Sequence, residues 1–231
     1  MTEARRVGLT VLGYWLVFGL LCTLLYPVTM TDSITRYAPM ADCFAHEDWK
    51  LVFHPRFGVI FEVLCGGLSW LTGLEGAKSV QVVSAGFLAL SGVPVFYLTK
   101  RVFGVRVAWW SLALLLASDD FTRYAMDGLR DTGKCLAFAL VGYGAVERKP
   151  VWIGAGLFVL VSLVSYGFAV GCVLVFAWCL YVLCTRQPLA ALPLPVLGWA
   201  LGTAAVTAVT HAYTGHWLPS LHYIKYLGGW L

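Results

Sequence analysis

The chain reads as an all-α, polytopic bundle of transmembrane helices, and three observations predict this. Hydrophobic residues make up 60% of the sequence and charged residues only 12%, with a mean hydropathy of +0.79. A soluble domain carries about 25% charge, so lipid rather than water suits this surface. The apolar residues also fall in continuous runs, several of them near 20 residues, the length of a membrane helix; a barrel would alternate over about ten. Finally, basic residues cluster in the breaks "TKRVFGVR" (99–106), "VERKP" (146–150) and "TRQP" (185–188), which marks those breaks as cytoplasmic.

The runs lie at 8–29, 57–74, 79–99, 105–118, 133–147, 151–165, 167–185 and 189–210. The first follows Arg5 and Arg6 and is too long for a signal-peptide core, so it reads as a retained span with a cytoplasmic N-terminus. Lys100, Arg101 and Arg106 then require one run before them not to cross. The run 57–74 is the weaker, with Glu62 and several glycines, and is expected to lie on or dip into the outer surface. Seven spans remain, in a single module covering 1–231. An eight-span arrangement would put the Lys100 cluster outside. In the seven-span reading Arg5, Arg6, Lys100, Arg101, Arg106, Arg148, Lys149 and Arg186 face inward against Glu3 and Glu147, and acids prevail outside. Outer loop 1 (about 30–78), outer loop 2 (about 119–132) and the tail (about 211–231) then share one face.

The polar residues concentrate on that face. In "TDSITRY", Asp32 follows a span. It can serve as a general base, its pKa raised by partial desolvation, or as the cap of a helix starting near Ser33. Arg36 and Tyr37 follow it. In "FHPRF", Pro55 suits a first helical turn, with His54 and Arg56 at its rim; Arg56 can bind phosphate or anchor in lipid headgroups. In "SDDFTRYAMDGLRDTGK", Asp119 and Asp120 end one span and Arg130–Asp131 open the next, with Lys134 one helical turn beyond Arg130. This reads as a cradle for an anionic headgroup, or as a solvated loop with acidic helix ends. In the tail, His211, Tyr213, His216, His222, Tyr223 and Lys225 line an acceptor site or form an aromatic belt. Seven cysteines show no CxxC spacing, and the scattered basic residues make no nucleic-acid face.

Taken in order, the basic N-terminus, the Asp32–Tyr37 loop, "HP" entering an apolar helix, "YLTKRVFG", "LRD", "WIGAGLFVLVSLVSYG" and "YTGHWLP" resemble the GT-C class of membrane glycosyltransferases. The likeness is greatest to the polyprenyl-phosphate-sugar-dependent protein mannosyltransferase and aminoarabinose transferase branch. It covers nearly the whole chain, as the N-terminal seven-span module of that class. It implies inverting transfer of a sugar from a polyprenyl-phosphate donor to an acceptor hydroxyl at the outer face of a bacterial inner membrane or an ER-like membrane. Asp32 and Asp131 would be catalytic. Arg36, Tyr37, His54, Arg56, Asp119, Asp120, Arg130 and Lys134 would bind substrate. A divalent cation, Mg²⁺ or Mn²⁺, is an option through Asp32 and Asp131. Full members continue well past such a module, so the chain reads as a minimal enzyme, a truncated one, or a subunit whose protein partner supplies the missing C-terminal part. Ser33 stands where many members have a second acid, and "HPR" replaces "HPP". The rival readings are a non-catalytic membrane scaffold or assembly subunit and a lipid or solute transporter. Few ionisable residues lie deep in the spans, which speaks against transport.

Overall fold

The computed structural model describes residues 2–48, 52, 59–163 and 167–215. His54, Arg56, His216, His222, Tyr223 and Lys225 lie outside the described residues. Every regular element among those described is helical: α1 (Glu3–Leu25), a π-helical turn (Ser33–Tyr37) running into α2 (Ala38–Ala45), α3 (Ile60–Thr72), α4 (Gly76–Phe103), α5 (Val105–Ala117), α6 (Asp119–Met126), α7 (Asp131–Val146), α8 (Pro150–Leu163), α9 (Gly167–Cys184), a 3₁₀ turn (Leu189–Ala191) and α10 (Pro193–Thr214).

Four helical stretches are long and apolar enough to cross a bilayer: Glu3–Leu25, Gly76–Phe103, Gly167–Cys184 and Leu189–Tyr213. This is the build of an integral membrane protein. At 1.5 Å per residue α5 and α8 are only about 20 Å long, short of a hydrocarbon core of about 30 Å. The exposed surface agrees with lipid as solvent. α1 buries only Val7, Val11, Gly19 and Cys22, and shows Leu9, Leu12, Leu16, Leu20 and Leu24 to the outside. In water such a face would drive aggregation; in a bilayer it is the ordinary surface.

The ends of the helices are paired by charge. Lys100, in the last turn of α4, meets Glu3, in the first turn of α1, at 2.6 Å, so these helices run antiparallel. Arg101 reaches Glu147, just after α7, at 3.4 Å. The tight turns into α5 and α8 therefore share this basic end. α8 and α10 run parallel, because Gly154 of α8 meets Leu194 and Gly198 of α10, and Phe158 meets Gly202. A Cβ at Gly154 would come within 2.5 Å of the Leu194 carbonyl oxygen, and one at Gly198 would collide with the Gly154 carbonyl. Without a hydrophobic force between helices in lipid, such close backbone approach is what holds them together.

The opposite end gathers the C-termini of α1, α5 and α8, the N-termini of α4 and α7, and the short helices α2, α3 and α6. α4 ties them down with polar side chains in its second and third turns. Gln81 donates from Nε2 to the carbonyls of Tyr26 at 3.0 Å and Met126 at 2.7 Å. The Ser84 hydroxyl donates to the Leu129 carbonyl at 2.6 Å and lies 2.9 Å from the Thr132 hydroxyl. Asp127, almost fully buried, accepts from the Thr29 amide at 3.0 Å, the Thr29 hydroxyl at 2.6 Å and the Met30 amide at 3.2 Å. Glycine at 128 supports this turn, with φ at +68° and Val80 packed where a side chain would go.

Candidate functional site

The site is built around Tyr37. This residue ends the π turn and is 4% exposed, with its ring edge-on to Phe61 of α3 at 5.4 Å. The guanidinium of Arg130, at the N-terminus of α7, lies over the same ring at 5.4 Å and donates through Nη1 to the Leu163 carbonyl at 3.3 Å. Stacking on an aromatic face suits a planar, weakly hydrated guanidinium better than an ammonium. Burial pushes the Tyr37 hydroxyl up to about 12, against the pull of Arg130; Glu62, Asp32 and Asp131 push the same way as burial. Three carboxylates from three separate segments thus act on one phenol. Tyr37 stays neutral at physiological pH and does not act as a base.

Asp32 is about half exposed and pairs with Arg36 at 2.8 Å, one turn along the same helix. Its own backbone is already helical, so its side chain makes no capping bond and the cap expected for a helix starting near Ser33 does not form. Helical backbone turns the carboxylate along the helix toward position 36 instead of back over the first amides. Asp131 opens α7 and pairs with Lys134 at 2.5 Å. Lys134 therefore has a carboxylate partner within its own helix, while Arg130 turns to Tyr37 and Leu163; the expected Arg130–Lys134 cradle is split between two jobs. Asp119 and Asp120 are exposed in the first turn of α6, where they complement the positive helix end, and among the described residues no hydrogen bond or ion pair joins them to the Tyr37 cluster.

Glu62 is the residue that the sequence reading did not place in the site. It sits in the first turn of α3, only 2% exposed, and neither carboxylate oxygen has a hydrogen-bond partner among the described residues. Burial pushes it up to about 7; Arg130 pulls the other way. The buried hydroxyls of Ser33, Ser79 and Ser162 likewise lack partners among the described residues, at this same end of the bundle. Buried polar atoms are normally paired, so this concentration of unpaired ones among the described residues makes the region the candidate site. The sequence signal is a lone acid in an apolar run, which speaks against a crossing and equally for a buried polar site.

The raised Glu62 pKa has a measurable consequence. Its ordinary value is 4.5, so the folded state holds a proton that the unfolded chain releases between about pH 4.5 and 7. Stability is therefore undiminished below 4.5 and falls as pH rises through 7. Glu62→Gln should match the wild type near pH 4 and be more stable at pH 8, by on the order of 3 kcal/mol. Denaturant unfolding of the two proteins at both pH values checks this. Burial sets the effect and Arg130 opposes it; Glu62 in turn helps to push up the Tyr37 hydroxyl and the Cys65 thiol.

No three histidine, cysteine, aspartate or glutamate side chains gather into a metal-ligand group among the described residues. A divalent ion between Asp32 and Asp131 would have to displace Arg36 from one and Lys134 from the other. These two carboxylates do not fit that role as they stand.

A second, more open feature adjoins the site. A cavity of about 550 Å³ lies between the end of α1, α2 and the start of α4, with Asp42, Glu75, Lys78 and Gln81 among its lining. Asp42 there accepts from the Gly76 amide at 2.6 Å, which docks α2 onto α4. Together these features define a helical integral membrane protein whose buried polar groups gather at one end. No protein-family model, curated protein or solved structure matches this chain.

Proposed function

We propose that the chain transfers a sugar from a polyprenyl-phosphate donor to an acceptor hydroxyl at the non-cytoplasmic face of its membrane. The observation that supports this reading is Arg130, at the start of α7, stacked on buried Tyr37, which brings the Asp32 and Asp131 segments together at one end of an apolar bundle. A lipid-phosphate sugar presents its anomeric carbon at that depth while its tail stays in the bilayer.

In this mechanism the acceptor oxygen attacks the anomeric carbon as the bond to the phosphate oxygen breaks, in a single displacement that inverts the centre. Asp32 takes the acceptor's proton. The departing phosphate keeps the electron pair of the broken bond and is stabilised by Arg130. Tyr37 holds Arg130 in place. We place seven crossings in this reading, α1, α4, α5, α7, α8, α9 and α10, with α3 along the outer surface and the basic end in the cytoplasm.

One observation favours a second reading. Asp32 and Asp131 are each paired within their own helix, as structural carboxylates are, which suits a non-catalytic scaffold or assembly subunit. Membranes carrying the chain, incubated with labelled polyprenyl-phosphate sugars, separate the two. Transfer should appear with the wild type and fall by about 10²- to 10⁴-fold in Asp32→Asn at unchanged protein level. No transfer from any donor, with Asp32→Asn leaving assembly of the membrane intact, supports the scaffold.

A further inference from the structure

At the basic end three helices leave an apolar crevice that sugar transfer does not use. It is a cavity of about 510 Å³ between the last turns of α7, the start of α8 and α9, walled by Val141, Ala145, Ile153, Leu174, Ala177 and Trp178. Along α9 it runs from Tyr181 to Leu174, about 10 Å at 1.5 Å per residue, or a third of the hydrocarbon core. Arg148 lines the same cavity. It follows α7, is exposed, and makes no ion pair among the described residues, because the neighbouring acid, Glu147, is engaged by Arg101 at 3.4 Å and Lys149 at 4.0 Å. Its φ of +53° is left-handed, the position after a helix that glycine fills most easily; Arg186, after α9, repeats this at +53°. An arginine held there keeps a charge where a small residue would be less strained, and the negative end of the helix favours that charge.

We propose that this crevice holds one acyl chain of an anionic phospholipid, with the lipid phosphate against Arg148. Three observations select this occupant. The walls are apolar and one of them is α9, long and apolar enough to cross a bilayer, so a lipid chain is the abundant filler. Trp178 and Tyr181 stack at 5.2 Å on one wall, the aromatic arrangement found at the border of hydrocarbon and headgroups. The cation at the rim lacks an acid of its own, so a phosphate supplies the missing charge. A basic pocket between helices on the cytoplasmic side is the kind of place that takes such headgroups. Moving a lipid tail from the bilayer into the crevice gains little, since lipid is as apolar as the wall. The headgroup therefore decides, and one basic residue at the surface gives about a fivefold preference for anionic over zwitterionic lipid.

Trp178 is the reporter. It is 8% exposed and lines the crevice, with its indole N–H held by the Ala191 carbonyl at 3.1 Å, so a quencher reaches it through the crevice. The full chain is placed in phosphatidylcholine vesicles containing brominated phosphatidylglycerol or brominated phosphatidylcholine at equal mole fraction. The Trp178 contribution is the difference in quenching between the wild type and Trp178→Phe. Half-maximal quenching of that contribution should need about fivefold less phosphatidylglycerol than phosphatidylcholine. Arg148→Gln should abolish the preference, and Ala177→Leu, which fills the crevice, should reduce quenching by both lipids. Equal quenching by the two lipids in the wild type, a preference that survives Arg148→Gln, or quenching indifferent to Ala177→Leu would each overturn the proposal.

Discussion

Asp127→Ala should unfold the polar end before the helical bundle, and it should carry one of the largest costs of any single change in the chain. Asp127 is nearly buried and receives three hydrogen bonds from the segment that follows α1, two of them from backbone amides. Truncation leaves the Thr29 and Met30 amides without their acceptor and a void beneath the turn. Hydrogen bonds to a charged group contribute about 1.5–3 kcal/mol each and do not add fully, so a loss of about 3 kcal/mol is expected. Ser33–Tyr37 follows directly on this segment, so Tyr37 would leave Arg130 even where the bundle survives. Hydrogen exchange should show faster opening at 29–45 and 124–132 with α8 and α10 unaffected. Asp127→Asn keeps the shape and an acceptor and should lose less. Uniform destabilisation of all helices would show that the clasp is not a local one.

The second large effect is expected in the opposite half of the molecule. Gly198→Leu puts a side chain where α10 meets the Gly154 carbonyl of α8, with the Gly154 Cα and carbonyl carbon also in the way. The obstacle is backbone, which cannot rotate aside as a side chain would. Overpacking of this kind costs about 1–3 kcal/mol where helices shift to relieve it. In lipid, where contact between helices rests on close packing, the shift itself removes the attraction. A disulfide or spin-label pair across α8 and α10 should report separation, while the Tyr37 cluster stays intact. Ala at the same position meets the same carbonyl and should show a smaller effect in the same direction. A Gly198→Leu protein with wild-type stability would mean that the two helices do not touch there.

Much of the helical order was legible from the pattern of apolar runs. The runs at 79–99, 105–118, 133–147 and 167–185 each coincide with one helix, and 57–74 with the short α3. The run starting at 8 underestimated α1, because Glu3, Arg5 and Arg6 are polar yet helical; Thr2 accepts from the Arg5 amide and starts the helix earlier. The expectation for Asp32 illustrates a different limit. Its pairing with Arg36 was readable from the spacing of four, but choosing between a cap and an ion pair needed the backbone angles at residue 32.

Glu62 and Asp127 were not legible in their roles. Each looks in sequence like an isolated acid. What distinguishes Glu62 is its burial and the approach of Arg130 from far along the chain; what distinguishes Asp127 is a pair of amides nearly one hundred residues earlier. No local pattern encodes such meetings.

Composition and run length by themselves determined that this chain is helical and made for lipid, because so apolar a surface suits lipid and continuous runs near 20 residues satisfy their backbone as helices, where a barrel would alternate. Only the tertiary structure decided which polar residues meet. Long-range packing through α4 brings the two polar segments together and leaves Glu62 buried without a partner among the described residues, and burial, not residue type, is what shifts a carboxylate toward neutrality.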